Sequence, residues 1–188
     1  MKIRNWLLLI APIGALICPP VCYGQLPANP DLRVLIIRHA EKPKTGENLT
    51  CQGENRARLL PATLSRKFGK IDYIYVPTVV SNGGRTLHAR MFQTASPVAI
   101  HNGLDINSQF SAKEFDQVAQ SVLEKKGTVL LVWNHTSIAK LALSLGVSAP
   151  DWKDADFDSI LVIRYPNGAA VLERDAEELS PLQYCGDH

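Results

Sequence analysis

Short apolar runs alternate with longer amphipathic segments along most of the chain. The sequences VLII and VLLVW are the clearest of these runs, and each is followed by polar residues. Runs of this length, rich in Val, Ile and Leu, are typical of strands covered on both faces of a sheet. They predict a first strand over Arg33–Arg38 and a later strand over 128–133. Between them, IDYIYV predicts a second strand that Pro77 stops, and LDIN at 104–107 predicts a short one.

The amphipathic segments predict helices, because their apolar residues recur at a spacing of three and four. Residues 49–69 carry such a stripe and end at Gly69, a common residue at a helix C-cap. Residues 89–100 are predicted to be helical through their first half. The segment 111–127 opens with Ser and Glu at capping-box spacing and closes at a glycine. A last helix is predicted over 136–146, and it also ends at a glycine.

This alternation predicts a three-layer α/β/α domain with a mostly parallel central sheet. The runs SILVIRY and AAVLER flank the turn sequence PNG, so they predict a β-hairpin that adds at least one antiparallel strand. The segment TVVSNGGRTLH at 78–88 is predicted to be a turn-rich connection. No repeat or low-complexity segment divides the chain, so residues 25–188 are predicted to form one domain.

The first 24 residues have the pattern of a secretory signal peptide. A short basic stretch, MKIRN, precedes the apolar run WLLLIAPIGALI, which is too short and too interrupted by proline to span a bilayer well. Cys22 and Gly24 are small residues at the positions that a signal peptidase reads, which predicts cleavage before Gln25. The chain is therefore expected to be periplasmic or secreted, without stable membrane insertion after cleavage. An uncleaved N-terminal anchor is one alternative, and a lipid-attached cysteine at Cys18 or Cys22 is another, although neither cysteine follows the usual small-residue box.

Charge balance excludes some classes of partner. The whole chain has 20 basic and 18 acidic side chains and a formal net charge of +2. The first 24 residues hold two of the basic side chains and none of the acidic ones, so the rest of the chain is formally neutral. A neutral domain lacks the basic surface on which nucleic acids or anionic membranes bind. Any anion that it binds must be held by a local cluster.

Two cysteines, Cys51 and Cys185, remain after the predicted cleavage. In an exported protein such a pair can form a disulfide, here between the C-terminus and the segment that follows the first strand. Closing so long a loop would stabilise the fold by about 4–5 kcal/mol. Two unpaired thiols are the alternative, and the spacing does not resemble a metal-binding cysteine pair.

Two of the predicted strands lead into a histidine. Arg38 and His39 lie at the end of the first strand, and His135 follows the strand that VLLVW predicts. In open α/β sheets ligands bind beyond the carboxyl ends of the strands, so neighbouring parallel strands would bring both histidines to one crevice. Arg90, at the start of the helix after the second strand, adds another cation. Such a cluster favours an anion, because arginine forks match phosphate oxygens and a neutral imidazole can attack phosphorus.

Four segments, taken in order, resemble the histidine phosphatase superfamily, which includes phosphoglycerate mutases and small phosphohistidine phosphatases. They are LIIRHAEKP, LTCQGENRA, ARMFQTASPVA and VWNHTSIAKLALSLG, and together they extend over most of the chain after residue 24. The RHAEK strand end and the RMFQTA helix are specific in combination, and the later histidine at a strand end supports them. The resemblance implies a histidine phosphatase-like fold and the hydrolysis of phosphate monoesters.

The resemblance also implies roles for individual residues. His39 would be the nucleophile that forms a phosphohistidine intermediate, which water then hydrolyses. Arg38, Arg90 and His135 would clamp the phosphoryl oxygens and stabilise charge in the transition state, so neither a metal nor a cofactor is expected. Glu41 would orient the loop after the nucleophile as part of the substrate site.

The remaining site residues are harder to place. His88 would line the mouth of the pocket. The family normally presents an acid that protonates the leaving group; in one branch it directly follows the second histidine, where this chain has Thr136. In the other branch a carboxylate follows the QTA helix, and Asp105 is the nearest candidate, although a leaving group of low pKa would need no acid. The link before Arg90 is long and glycine-rich, which leaves Arg85 as the alternative helix arginine, but RMFQTA favours Arg90.

Three functional hypotheses follow. The leading one is an exported phosphomonoesterase whose shallow pocket suits an exposed phosphate on a small molecule, a glycolipid or a protein, because the chain leaves little room for a large cap. The second is a non-catalytic phosphate-binding module, which turnover would exclude. The third is a metal hydrolase built on His39, Glu41 and His135, which chelators would inhibit. HAE fits the H-x-E of zinc deaminases, but the P-C-x-x-C that they require is absent.

Overall fold

The computed structural model describes residues 29–185, and the predicted signal peptide and its cleavage site lie outside the described residues. The strands are β1 (Leu32–Arg38), β2 (Tyr73–Tyr75), β3 (Val80–Asn82), β4 (Arg85–Leu87), β5 (Ile106–Asn107), β6 (Gly127–Trp133), β7 (Ser159–Arg164) and β8 (Val171–Ala176). The helices are α1 (Cys51–Phe68), α2 (Ala89–Asn102), α3 (Phe115–Leu123) and α4 (His135–Ser144). None of these described helices is long and apolar enough to cross a membrane.

Six strands form one mixed sheet in the order β5-β2-β6-β1-β7-β8. The first four strands in that order run parallel, whereas β7 pairs antiparallel with both β1 and β8. Strands β7 and β8 are the predicted hairpin, joined by a 3₁₀ turn at Pro166–Gly168. The predicted three-layer α/β fold with a mostly parallel sheet is therefore confirmed.

The continuous apolar run of β1 is explained by helices on both faces of the sheet. Val34 and Ile36 belong to one buried cluster, with residues of α3 and α4. Leu35 and Ile37 belong to a second buried cluster, with residues of α1 and α2. Because successive side chains of a strand point to opposite faces, a strand between two helical layers has no position left for a polar residue until it ends.

Helix α2 continues through Pro97 to Asn102, so the prediction that only the first half of 89–100 is helical was wrong. Proline removes one backbone donor and usually interrupts a helix. Here buried residues lie on both sides of it, with Met91 and Ala95 before the proline and Val98 after it in the same cluster. The packing of this face maintains the helix across the proline.

Three other boundaries differ from the predictions. Helix α3 begins at Phe115, four residues after the predicted cap at Ser111. Only half of the predicted capping box is formed: the Glu114 carboxylate accepts the Ser111 N–H at 2.6 Å, but no side chain caps the first turn of the helix. The glycine predicted to end that helix, Gly127, instead begins β6. The turn-rich segment 78–88 contains the small antiparallel hairpin β3–β4, whose strands are too short and too exposed to leave an apolar pattern.

Candidate active site

The carboxyl ends of β1 and β6 lie side by side and hold the two predicted histidines. Arg38 pairs in register with Trp133, and the His39 N–H donates to the Trp133 carbonyl at 3.0 Å. His135 begins α4 two residues after Trp133. The parallel pairing of these strands therefore brings His39 and His135 to the same edge of the sheet, as their positions predicted.

The His39 ring is buried, with 2% of its surface exposed, and its hydrogen bonding defines its tautomer. Its Nδ1 lies 2.8 Å from the Ala40 carbonyl oxygen, which can only accept, so Nδ1 carries the proton. Burial, aided by the charges of Arg38 and Arg90 and by His135, lowers the pKa of His39 to about 4, although the bond to Ala40 opposes this. At neutral pH the ring is therefore uncharged, with its lone pair on Nε2.

Arg38 is held firmly from one side. Its side chain is almost completely buried, and Nη1 donates to the backbone carbonyls of Asp154 and, at 3.3 Å, of Asp156. Its Nη2 donates to Asp154 Oδ1 at 3.1 Å. The centre of the Phe157 ring lies 3.9 Å from the Arg38 guanidinium carbon, in cation–π contact, and 6.3 Å from the centre of the His39 ring. One loop, 154–157, thus fixes the guanidinium beside His39.

Arg90 reaches the site from the first turn of α2. Its Nη2 donates to the Gly46 carbonyl and lies 3.4 Å from Glu47 Oε2. Arg85, the alternative candidate, lies on the β3–β4 hairpin and is mostly exposed. Its Nη2 donates to the other oxygen of the same carboxylate, Glu47 Oε1, at 2.8 Å. Arg90 but not Arg85 is among the groups that lower the pKa of His39, which favours Arg90 as the arginine of the site.

The cluster contains buried nitrogen atoms without a hydrogen-bond partner among the described residues. They are Arg38 Nε, Arg90 Nε and His135 Nδ1, and Glu177 Oε1 elsewhere is the remaining buried side-chain atom of this kind. Buried polar groups are normally satisfied, and groups that are not need an explanation. Two of these atoms, Arg38 Nε and Arg90 Nε, are N–H donors of one cationic cluster, so an oxyanion with several acceptor atoms is the ligand that suits it.

Asp154 is a site residue that the sequence analysis missed. Its Oδ1 lies 3.1 Å from Arg38 Nη2 and 3.3 Å from His135 Nε2, yet 75% of its side chain is exposed. The bond to Arg38 lowers the pKa of Asp154, so the carboxyl is ionised at neutral pH. Burial and the charge of Arg38 lower the pKa of His135, against the opposing charge of Asp154.

Glu41 binds Arg56, a second residue that the sequence analysis did not single out. The Arg56 Nε donates to both carboxylate oxygens of Glu41, at 3.0 and 3.1 Å. Its Nη1 donates to Asp158 Oδ1 at 3.0 Å and to Glu177 Oε2 at 2.5 Å. Arg56 thus joins the loop after His39 to the segment that carries Phe157. The Glu41 carboxylate is held by this salt bridge with Arg56, and its predicted role in orienting the loop stays a prediction.

Gly53 lets α1 approach this loop closely. A Cβ atom at Gly53 would lie 2.3 Å from the carbonyl oxygen of Glu41 and 2.9 Å from its nitrogen, so no other residue fits without a backbone shift. The same carbonyl accepts the N–H of Thr50 at 2.9 Å, and the Thr50 hydroxyl accepts the Gly53 N–H at 3.1 Å as the helix N-cap. The start of α1 is therefore a support for the segment that follows His39.

Replacing Glu177 by glutamine is expected to weaken the dependence of stability on pH. Burial raises the pKa of Glu177 to about 8, against the opposing charge of Arg56. The unfolded chain loses this proton near its ordinary pKa of about 4.5, whereas the folded chain keeps it to about 8, so the wild type loses stability across that interval. Urea unfolding at several pH values should show a shallower decline for Glu177→Gln. Glu173→Gln, at an exposed position of β8, is the control, and parallel curves for all three proteins would contradict the prediction.

His88 directly precedes α2 in the left-handed region, with φ of 65°. Its Nδ1–H donates a hydrogen bond to the Thr78 carbonyl oxygen at 2.8 Å, which connects the start of α2 to the segment after β2. His88 lies two residues before Arg90, so this hydrogen bond supports the turn of α2 that carries Arg90. The location of His88 at the mouth of the substrate pocket stays a prediction.

Asp105 lies near the amino-terminal ends of the parallel strands, whereas the acid is needed at their carboxyl ends. It directly precedes β5, which is parallel to β2, and the pairing of Ile106 with Ile74 places Asp105 level with Tyr73. Tyr73 pairs with Val129 of β6, which pairs with Val34 of β1, and Val34 is four residues before Arg38. Asp105 is therefore about 13 Å from the level of Arg38, measured along the strands. The prediction from the QTA helix was wrong because the chain passes from α2 to the amino end of the next strand. Thr136, the other position, donates to Asn134 Oδ1 at 2.7 Å.

The structure joins Cys51 and Cys185 by a disulfide that links positions 134 residues apart. Cys51 is the first residue of α1, directly after its N-cap. The Asn55 side-chain amide also donates to the carbonyls of Leu182 and Tyr184, both at 2.9 Å. The C-terminal segment is therefore fastened along the first turns of the helix that supports the site.

The metal site of the third hypothesis is not formed. Within residues 29–185 no group of three or more His, Cys, Asp or Glu side chains is arranged to hold a metal ion. The Glu41 carboxylate that such a site would use lies against Arg56.

Comparisons with known proteins identify the fold through structure alone. No protein-family model matches the chain, and no curated protein matches its sequence. The protein histidine phosphatase SixA, solved with tungstate, matches with a TM-score of 0.57 at 16% identity over 77% of this chain and 97% of SixA. A mycobacterial glucosyl-3-phosphoglycerate phosphatase, solved with phosphate, gives 0.54 and 13% over 79% and 99% of the two chains. The alpha-ribazole phosphatase of Shigella flexneri gives 0.52 and 14% over 75% and 94%.

Proposed function

We propose that this chain, which has the histidine phosphatase fold, hydrolyses phosphate monoesters through a phosphohistidine formed on His39, without a metal ion. The observation that carries the proposal is the state of His39. Its Nδ1–H donates to the Ala40 carbonyl, which leaves the lone pair of an uncharged ring on Nε2. A neutral imidazole beside two arginines and a second histidine has the properties of a nucleophile for phosphorus.

The two arginines and the second histidine around His39 account for the rest of the reaction. Nε2 of His39 attacks phosphorus while the bond to the ester oxygen breaks, and water then attacks phosphorus while the bond to Nε2 breaks. Phosphoryl transfer depends mainly on positioning and on neutralising charge over the equatorial oxygens. Arg38, Arg90 and His135 supply fixed donors for this purpose, and one such donor is worth about 3–4 kcal/mol in the transition state.

The expected substrate is a phosphate group at an accessible position of a larger molecule. The structural neighbours are named as a protein histidine phosphatase, a glucosyl-3-phosphoglycerate phosphatase and an alpha-ribazole phosphatase, so their names cover both a protein and small molecules. For this chain we propose a phosphorylated small molecule, a glycolipid or a protein outside the cytoplasm. The leader-like pattern of residues 1–24 and the Cys51–Cys185 disulfide both support an oxidising compartment.

Hydrolysis of p-nitrophenyl phosphate in the presence of EDTA tests the proposal. The chain without residues 1–24 is expected to turn over this substrate and to yield a phosphoprotein that is stable in alkali and labile in acid, as a phosphohistidine is. Turnover excludes the alternative of a module that only binds phosphate. A folded protein that gives neither turnover nor phosphoprotein would contradict the proposal, and turnover that EDTA abolishes would instead support a metal hydrolase.

A further inference from the structure

The proposed reaction needs a proton for the leaving oxygen when the substrate is an ester of an ordinary alcohol. General acid catalysis of this kind contributes about 10²- to 10⁴-fold. Neither position that the family resemblance offered can supply this proton. Asp105 lies near the amino-terminal ends of the parallel strands, away from the site, and Thr136 is not an acid. The carboxylates that contact the cationic cluster are the candidates for this acid.

Two carboxylates of the described residues contact that cluster, and their surroundings differ. Both oxygens of Glu47 are engaged by arginines, Oε1 by Arg85 at 2.8 Å and Oε2 by Arg90 at 3.4 Å, and the side chain is mostly buried. Asp154 uses only Oδ1, which accepts from Arg38 and His135, and no hydrogen bond or ion pair of the described residues uses its Oδ2. Asp154 therefore has an oxygen available on the solvent side, where a leaving group must depart.

From this geometry we propose that Asp154 is the general acid and base of the site. The proposal rests on the phosphatase function proposed above and deepens it, because it names the group that handles the proton. In the first step Nε2 of His39 bonds to phosphorus, the ester bond breaks, and the Asp154 carboxyl gives its proton to the departing oxygen. In the second step the Asp154 carboxylate takes a proton from water, whose oxygen bonds to phosphorus as the bond to Nε2 breaks. Inorganic phosphate leaves, the His39 ring is free again, and Asp154 returns its proton to solvent when Arg38 and His135 bind its carboxylate again.

Substrate binding itself would prepare the acid. In the structure Asp154 is ionised, because Arg38 and His135 hold its carboxylate. A phosphoryl group that binds to these same donors takes them away from the carboxylate and places a second anion next to it. Both changes favour the protonated form of a carboxyl group. Asp154 would thus take up a proton from solvent when the substrate arrives, and would exchange its role as a counter-ion for a role as a proton donor.

The loop can release this side chain without losing its own shape. The backbone carbonyls of residues 154 and 156 accept from Arg38 Nη1, and the Trp152 indole N–H donates to the Asp156 carbonyl at 2.8 Å. The Asp156 carboxylate accepts the backbone N–H groups of Asp158 and Ser159, both at 3.0 Å. These bonds fix the backbone on both sides of Asp154, so its carboxylate can turn from Arg38 to a leaving group by side-chain rotation alone.

The test compares Asp154→Asn with the wild type on phenyl phosphates whose leaving groups become steadily more basic, from p-nitrophenyl to phenyl and p-methoxyphenyl phosphate. The ring shape stays constant, so binding contributes similarly throughout. A p-nitrophenolate ion leaves with little help, and the variant is expected to lose less than about tenfold in kcat/KM on that ester. On phenyl phosphate the loss is expected to be at least about tenfold greater. Asp151→Asn, an exposed aspartate of the same loop, is the control and should match the wild type.

Each other outcome overturns the inference. An equal loss on every ester would mean that Asp154 only positions Arg38 and His135. An equal gain on every ester would mean that it only competes with phosphate for these donors. A wild type that declines across the series as steeply as the variant would show that no acid assists the leaving group. Failure of the phosphatase function is seen separately, because the wild type would then leave p-nitrophenyl phosphate intact.

Discussion

Replacing His39 by alanine is expected to lower kcat on p-nitrophenyl phosphate by at least about 10⁴-fold, because loss of a covalent nucleophile leaves only binding and charge stabilisation. The structure gives the reason for the size of this effect. The only ring nitrogen of His39 with a free lone pair is Nε2, and the neighbouring His135 contacts Asp154 and has a different role. No phosphoprotein should form in the variant, as measured by quenching in alkali.

Two controls make this result specific. His39 is buried, so alanine leaves a cavity, and His39→Asn should be measured beside it as a smaller change of shape that also removes the nucleophile. His101→Ala removes an exposed histidine near the end of α2 and should keep full activity. A His39 variant that folds like the wild type and stays within about tenfold of its activity would exclude the phosphohistidine mechanism.

Reduction of the Cys51–Cys185 disulfide is expected to lower the free energy of unfolding by about 4–5 kcal/mol. The bond closes a loop of 134 residues, so it removes many conformations from the unfolded chain, and the loss of this restraint is the physical reason for the effect. Urea unfolding with and without a reducing agent measures the difference. The midpoint for the wild type should fall in the reducing agent to that of a Cys51→Ser, Cys185→Ser double variant.

The double variant is also the control, because its unfolding should not respond to the reducing agent. Asn55→Ala tests the rest of the attachment, since its amide holds the carbonyls of Leu182 and Tyr184 on the surface of α1. This exposed pair of bonds should contribute far less than the disulfide, on the order of 1 kcal/mol. A wild-type midpoint that reduction leaves unchanged would mean that the C-terminal segment does not restrain the unfolded chain.

The fold could be predicted largely because its strongest signals are local. A strand with helices on both faces is apolar at every position, so β1 and β6 could be recognised without knowledge of their partners. The same argument placed Arg38, His39 and His135, because it needs only the rule that parallel strands end at one edge. The extent of α2 could not be predicted in this way, since helix packing decides whether the chain continues through Pro97.

The missing parts of the site depend on contacts between distant segments. Asp154 meets Arg38 across 116 residues, and Arg56 meets Glu177 across 121 residues. No periodicity or local spacing marks such pairs, and the sequence DWKDADFD reads only as an acidic loop. Asp105 failed for the opposite reason: its spacing from the QTA helix fitted, but the sheet placed it at the amino end of a strand. A buried guanidinium needs hydrogen-bond acceptors, so acceptors for Arg38 could be expected from the sequence. The residues that supply these acceptors could not be identified from it.

The pairing of Arg38 with Asp154 and of Arg90 with Glu47 has a consequence for how a substrate reaches the site. Asp154 accompanies Arg38, Glu47 is shared by Arg90 and Arg85, and the His39 ring is uncharged, so two carboxylates offset most of the positive charge of the three arginines. Distant anions are then drawn only weakly toward the site, and added salt should change the rate of encounter only modestly. Selection happens at contact, where only a group able to replace a carboxylate between fixed donors gains entry. In a compartment rich in anionic polymers, such a site stays unoccupied until a suitable phosphate collides with it.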